Sequence, residues 1–250
     1  MKKIIAALLI LCCMFSVVSC SMFGGGEQDD TGLGNIDEAT AAQIDKVLSM
    51  FDDSIPTKSE TKTTETVGNV IIESSAHLVT GTVGGKKASV YYGSYQSLSE
   101  IGNTFDMVNT ETENRWYVEG QGVSTDKGVT WDASAGDFAP TEGFIKVALN
   151  KSKIKEAEYN ESTSTLKVVI AKEYATEVVS AYLEKGQTID SDITITIVTA
   201  GGRVNGLKLE YSIPTHEISV PDSDVKIQVQ ETKVVVDAKY SYDIQTITLE

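Results

Sequence analysis

Residues 193–213 read ITITIVTAGGRVNGLKLEYSI, and their pattern decides what kind of fold the chain adopts. Ile193, Ile195 and Ile197 alternate with Thr194, Thr196 and Val198. After Gly201-Gly202 the alternation resumes, with Leu207, Leu209, Tyr211 and Ile213 set against Lys208, Glu210 and Ser212. Successive side chains of a strand point to opposite faces. The stretch therefore predicts a hairpin in an antiparallel sheet with one dry and one wet face, turned by a Gly-Gly pair.

The same reading extends in both directions. Downstream, Val225, Ile227 and Val229, then residues 234–236 and 244–249, complete a β-rich end. Upstream, residues 154–160 and 165–171 form a hairpin about Glu161-Ser162-Thr163-Ser164, and residues 70–83 and 86–95 form another about Gly84-Gly85. Residues 59–67 (SETKTTETV) have little to bury and suit an edge, or a strand wet on both faces. The middle is less regular: residues 98–105 read as a short helix or loop, and residues 144–149 as a helical turn or two. Residues 114–121 and 129–133 read as a hairpin carrying Trp116 and Trp131. Two segments have helical spacing. In residues 37–51, Ile44, Val47, Leu48 and Phe51 share a face, with Asn35, Asp37 and Glu38 supplying cap and early charge, and Pro56 ends the segment. In residues 173–185, Tyr174, Val178, Ala181 and Tyr182 share a face before Gly186.

The N-terminus carries an address. Lys2 and Lys3 precede an apolar run to Val18, too short for a comfortable membrane span and free of acids, as in an export signal of residues 1–19. Val17-Val18-Ser19-Cys20 resembles the lipobox of bacterial lipoproteins. The resemblance implies cleavage before Cys20 and lipidation of its sulfur, with palmitate-type acyl chains holding the protein in the cell envelope on the extracytoplasmic side of a membrane. Each buried CH₂ contributes about 0.8 kcal/mol, so a diacylglyceryl group anchors stably. Residues 21–35 (SMFGGGEQDDTGLGN) hold five glycines and three acids and read, with Cys20, as a flexible linker. Its root-mean-square reach is roughly 20 Å. Residues 36–250 make one domain.

Composition excludes several functions. Cys12, Cys13 and Cys20 are the only cysteines and His77 and His216 the only histidines. That removes a disulfide framework, a thiolate zinc site and a cysteine nucleophile from the body of the chain. The formal charge of −15 becomes −17 once Lys2 and Lys3 leave with the signal, and such a body is repelled by nucleic acid and by anionic headgroups. Asp30-Thr31-Gly32 matches the aspartic-protease tripeptide, but a glycine-rich linker gives that carboxylate no rigid turn and no facing partner. Asp190-Ser191-Asp192 and Asp222-Ser223-Asp224 supply two carboxylates each, too few oxygens for calcium. His77 reads as a satisfied strand histidine and His216 as a turn residue after Pro214. No phosphate loop, nucleophile elbow or paired-histidine motif is present. No catalytic residue, metal site or cofactor is expected.

The aromatics carry the remaining signal. Tyr91, Tyr92, Tyr95, Trp116, Tyr117 and Trp131 crowd the middle third. The candidate ligand pocket comprises Tyr92, Trp116, Trp131, Phe144, Ile195 and Leu209, apolar walls with a few polar groups. The competing expectation is that these rings fill an ordinary core.

The order of these elements, one early helix, a run of meander strands and a late helix between hairpins, resembles the LolA/LppX-type lipoprotein-carrier superfamily over residues 36–250. The resemblance implies an α+β fold: a strongly curved, mostly antiparallel sheet, an unclosed half-barrel of roughly 9–11 strands, with two or three helices covering its concave face. It also implies a non-catalytic binding or carrier module for a lipid or other apolar small molecule. The alternative is a cell-envelope interaction lipoprotein that binds a protein or glycan through an exposed sheet face.

Overall fold

The computed structural model describes residues 36–53, 55–101, 104–134, 149–180, 183, 187–219, 226–243 and 245–248. The export signal, Cys20, the linker, Phe144 and Asp222-Ser223-Asp224 lie outside them. Helix α1 spans Glu38–Asp53. Asp37 starts it, its carboxylate accepting bonds from the Thr40 N–H (2.8 Å) and hydroxyl (3.0 Å), so the cap is Asp37. Those two bonds, the backbone one first, lower the pKa of Asp37.

The strands follow as β1 (Lys58–Val67), β2 (Val70–Val83), β3 (Lys86–Ile101), β4 (Thr104–Val118), β5 (Gly122–Ser124), β6 (Ile154–Asn160) and β7 (Thr165–Ile170). Helix α2 (Lys172–Val178) leads to β8 (Ile193–Ala200), β9 (Arg203–Ile213), β10 (His216–Ser219), β11 (Lys226–Val229) and β12 (Thr232–Ser241). Ten of these make a single sheet in the order β5-β4-β3-β2-β1-β12-β9-β8-β7-β6, with every neighbour antiparallel. Strands β10 and β11 form a separate two-stranded hairpin. The sheet is open: β5 and β6 stand at opposite ends. The expected antiparallel architecture is therefore present, with two described helices.

Turn chemistry sets the register. Gly84 and Gly85 have φ of 56° and 80°, and Gly201 and Gly202 have 59° and 76°. These left-handed pairs match the twist of a two-residue hairpin. They place Val83 opposite Lys86 and Ala200 opposite Arg203.

Several expectations need correction. Residues 59–67 are not an edge: β1 pairs with both β2 and β12 and joins two meanders. Backbone pairing on both sides requires no apolar side chain, so a Thr-rich strand can occupy the centre. Within residues 98–105, 98–101 continue β3 and 104–105 open β4; an irregularity at Ser97/Leu98 breaks the period of two that identified the rest. The hairpin after Trp116 turns at once into β5, and residue 132 only bridges to Val123. Helix α2 stops at Val178, not 185. Thr176, Val178 and Val179 are poor helix formers, and Thr176 Oγ1 accepts the Ile189 N–H at 2.8 Å, tying the segment to the return chain.

The main core lies on one face of the C-terminal half. Leu166, Val168 and Ile170 of β7, Ile193, Ile195 and Ile197 of β8, Leu207 and Leu209 of β9 and Val234 and Val236 of β12 are all buried there. Ile44, Val47, Met50 and Phe51 of α1 complete the cluster. Burying each such aliphatic side chain contributes roughly 1.5–3 kcal/mol.

Candidate ligand-binding face

Following the register across the sheet shows what that same inner face becomes in the N-terminal half. Ala238 of β12 stands beside Thr61 of β1, then Ala76 of β2, Gly93 of β3 and Glu113 of β4. One row along, Tyr240 leads to Ser59, Leu78, Tyr91 and Arg115; on the other side, Val236 leads to Thr63, Ser74, Tyr95 and Glu111. The face thus passes from continuous aliphatics to small residues, hydroxyls and tyrosines.

Burial changes with it. Ile195 and Leu209 are 0% exposed, so no water-sized space touches them. Thr61, Thr63, Ser74, Ala76, Tyr91, Gly93 and Arg115 are only half-buried. The C-terminal half is solid under α1, whereas the floor over β1–β4 is partly accessible.

Tyr91 and Arg115 shape one side of that floor. The guanidinium carbon of Arg115 sits 4.8 Å from the Tyr91 ring centre, a cation–π distance. Its Nε lies 3.1 Å from Glu113 Oε1, an ion pair. Gly93 makes the arrangement possible: a Cβ there would lie 2.9 Å from the Tyr91 hydroxyl, so the tyrosine lies across a position without a side chain. Such a floor, with flat rings, small residues and few charges, can hold an apolar molecule and orient a polar end.

The opposite, outer face of the same strands carries a second apolar cluster of Ala88, Val90, Trp116, Val118 and Ile247, packed against Val79, Val83 and Trp131. Tyr92 rests edge-on against Trp116, ring centres 5.9 Å apart, and is 42% exposed. His77 lies 5.9 Å from Tyr92. Burial pushes its pKa down, Lys58 adds to that, and Glu60 opposes both; Nε2 is 3.9 Å from Glu60 Oε1 and makes no hydrogen bond among the described residues. His216 is a turn anchor, its Nδ1 3.0 Å from the Pro214 carbonyl.

The expected pocket of Tyr92, Trp116, Trp131, Phe144, Ile195 and Leu209 is therefore divided. Trp116 aligns through Val90, Val79 and Lys58 with Ser241, whereas Leu209 faces Val236. Positions 236 and 241 of one strand point to opposite faces, so the tryptophans and the aliphatics are separated by the sheet itself. Phe144 lies outside the described residues. Residues not singled out from the sequence, Thr61, Ala76, Gly93 and Arg115, make up the accessible floor, with the buried Ser59 at its margin. The Gly84-Gly85 turn held the signal: counting forward from it separates odd-numbered Tyr91 and Tyr95 from even-numbered Tyr92.

Asp192 has a structural role. Its carboxylate accepts from Lys155 Nζ at 2.6 Å and from the Lys172 N–H at 3.0 Å, and these contacts, the lysine first, lower its pKa. Among the described residues no three His, Cys, Asp or Glu side chains gather as a metal site would require, and no helix is long and apolar enough to cross a membrane.

No protein-family model matches the chain, and no curated protein matches it. Among solved structures, the crystal structure of a DUF1329 family protein from Desulfovibrio piger is similar over 83% of this chain and 95% of that one, at 10% identity and a TM-score of 0.26. That likeness assigns no residue and no activity to this chain.

Proposed function

We propose that the protein is a non-catalytic binding or carrier module of the bacterial cell envelope, anchored through lipidated Cys20. In this reading the sheet curves as an unclosed half-barrel, and an apolar ligand of lipid-like chemistry lies on the inner face of β1–β4. The supporting observation is the change along one sheet face: fully buried aliphatics beneath α1, and beyond β12 a face on which half-buried Thr61, Ala76, Tyr91 and Gly93 are interspersed with buried Ser59, Leu78 and Tyr95. Small ligands favour apolar hollows with a few oriented polar groups. Arg115 and the hydroxyls supply such groups here.

The anchor and the cargo have separate tests. With Cys20→Ala the protein leaves the membrane fraction; an unchanged mass and unchanged membrane retention would show that Cys20 is not lipidated. The Cys20→Ala protein, purified from its own host, carries apolar adducts in native mass spectrometry. Repeated preparations without any adduct refute carriage. The exposed ring of Tyr92 on the outer face supports the second reading, a glycan- or protein-binding surface. Binding of the Cys20→Ala protein to envelope glycan or protein that Tyr92→Ala abolishes, with adducts retained, would favour it.

A further inference from the structure

Ser59 Oγ and Thr61 Oγ1 of β1 and Ser89 Oγ of β3 are shielded from water yet have no hydrogen-bond partner among the described residues. Ser59 is 3% exposed and Ser89 4%. Buried hydroxyls are normally paired, because an unpaired one loses its hydration for nothing. Elsewhere buried hydroxyls find partners: Thr199 reaches the Ser164 carbonyl at 3.2 Å, and Thr232 the Gln230 carbonyl at 3.3 Å. All three unpaired hydroxyls belong to the inner face of the N-terminal half. There Ser59 stands opposite Leu78, Thr61 opposite Ala76, and Ser89 precedes Tyr91 on the same face of β3.

We infer that Ser59 and Thr61 form the polar subsite of the inner face and take the carbonyl end of a neutral acyl ester. This rests on the binding function proposed above. Two positions on one strand face are roughly 7 Å apart, a span that fits two hydrogen bonds of about 2.8 Å each with the oxygen pair of one ester between them. The half-buried Ala76 and Gly93 continue the row from Thr61 and give the acyl chain a path without large side chains. A neutral ester suits the site better than a carboxylate. The charged groups of the inner face nearest to hand include Glu65, Glu111 and Glu113, with Arg115 already beside Glu113, and an ion beside neutral hydroxyls in a shielded place would lack a counter-charge.

The test uses the Cys20→Ala protein and displacement of an environment-sensitive naphthalene dye by methyl palmitate, palmitate and hexadecane. Two hydrogen bonds predict that methyl palmitate binds about tenfold more tightly than hexadecane, with palmitate between them. In Ser59→Ala/Thr61→Val that preference falls to near one while hexadecane binds as before, and Thr61→Val alone gives an intermediate ratio. An unchanged urea midpoint in both variants certifies the fold. A preference that survives the double substitution overturns the subsite, as does a parent protein that binds ester and alkane equally; hydroxyls satisfied by trapped water alone give this second result. Palmitate binding tightest of the three overturns the neutral-ester assignment. If the parent binds none of the probes, the carrier function itself fails, a result distinct from all of these.

Discussion

Replacing Ala238 and Ala76 by leucine, one at a time, separates the two halves of the inner face. The residues are alike in size and stand on one row with Thr61 between them. Ala238 is 0% exposed and faces the buried Leu207, so three extra carbons must displace packed neighbours. Overpacking of that kind costs about 1–3 kcal/mol. Ala76 is half-buried between Thr61 and Gly93, where a leucine side chain enters open space and changes stability by no more than about 0.5 kcal/mol. In a domain of this length 1 kcal/mol moves the melting temperature by roughly 2–4 °C. Ala238→Leu should then melt about 4–8 °C lower at a cost near 2 kcal/mol, and Ala76→Leu within about 2 °C of the parent. Thermal unfolding followed by circular dichroism reads both. Dye displacement adds the functional half, because Ala76→Leu fills the floor and weakens apolar probes about tenfold or more. Equal losses of stability, or unaltered probe binding in Ala76→Leu, would refute the division of the face.

Other consequences follow from particular contacts. Leu209→Ala, at a fully buried position on β9, should lower stability by about 3–4 kcal/mol, measured by urea unfolding, while an effect below about 1 kcal/mol would mean the core beneath α1 is not solid. Gly81→Ala places a Cβ 2.3 Å from the Gln245 carbonyl oxygen, so the segment 245–248 must move. Ile247 then leaves the outer cluster, and Trp116 emission shifts to the red; an unchanged spectrum contradicts that packing. Asp126 is lowered from 3.8 to about 2, first by the Thr130 hydroxyl, then by the Thr130 N–H and the Ser124 hydroxyl. A carboxylate whose folded pKa is depressed supports its turn fully above the ordinary value and loses that support as pH falls toward the folded one. The window is therefore from 3.8 down to about 2. A carbon-detected titration should find a midpoint near the lower figure, returning upward in Thr130→Val; a midpoint at the ordinary value would show that those bonds do not form.

Legibility in the sequence followed periodicity. Residues 193–213 declared their hairpin because each face of β8 and β9 is uniform in character, and the Gly-Gly pairs declared their turns because only left-handed residues suit a two-residue loop. β1 was misplaced because its threonines say nothing about neighbours: centrality is a property of pairing on both edges, which side chains do not encode. Leu98 and the residues after it lost their alternation at an irregularity that shifts register without any glycine or proline to mark it. The candidate pocket failed for a related reason. Tyr91 and Tyr92 are neighbours in sequence and on opposite sides of the sheet in space, so a cluster counted by proximity mixed two surfaces. The unpaired hydroxyls of Ser59, Thr61 and Ser89 could not be anticipated at all, since a serine or threonine in a strand looks the same whether or not its partner exists.

The location of the ligand is tested most directly by nuclear magnetic resonance with a spin-labelled fatty acyl ester added to the Cys20→Ala protein. Methyl signals of Thr61, Ala76 and Leu78, on the inner face of β1 and β2, should broaden strongly. Those of Ile195 and Leu209 beneath α1, and of Val90 and Ile247 on the outer face, should stay sharp. Broadening centred on Val90 and Ile247, or no broadening anywhere, would contradict the inner-face binding site.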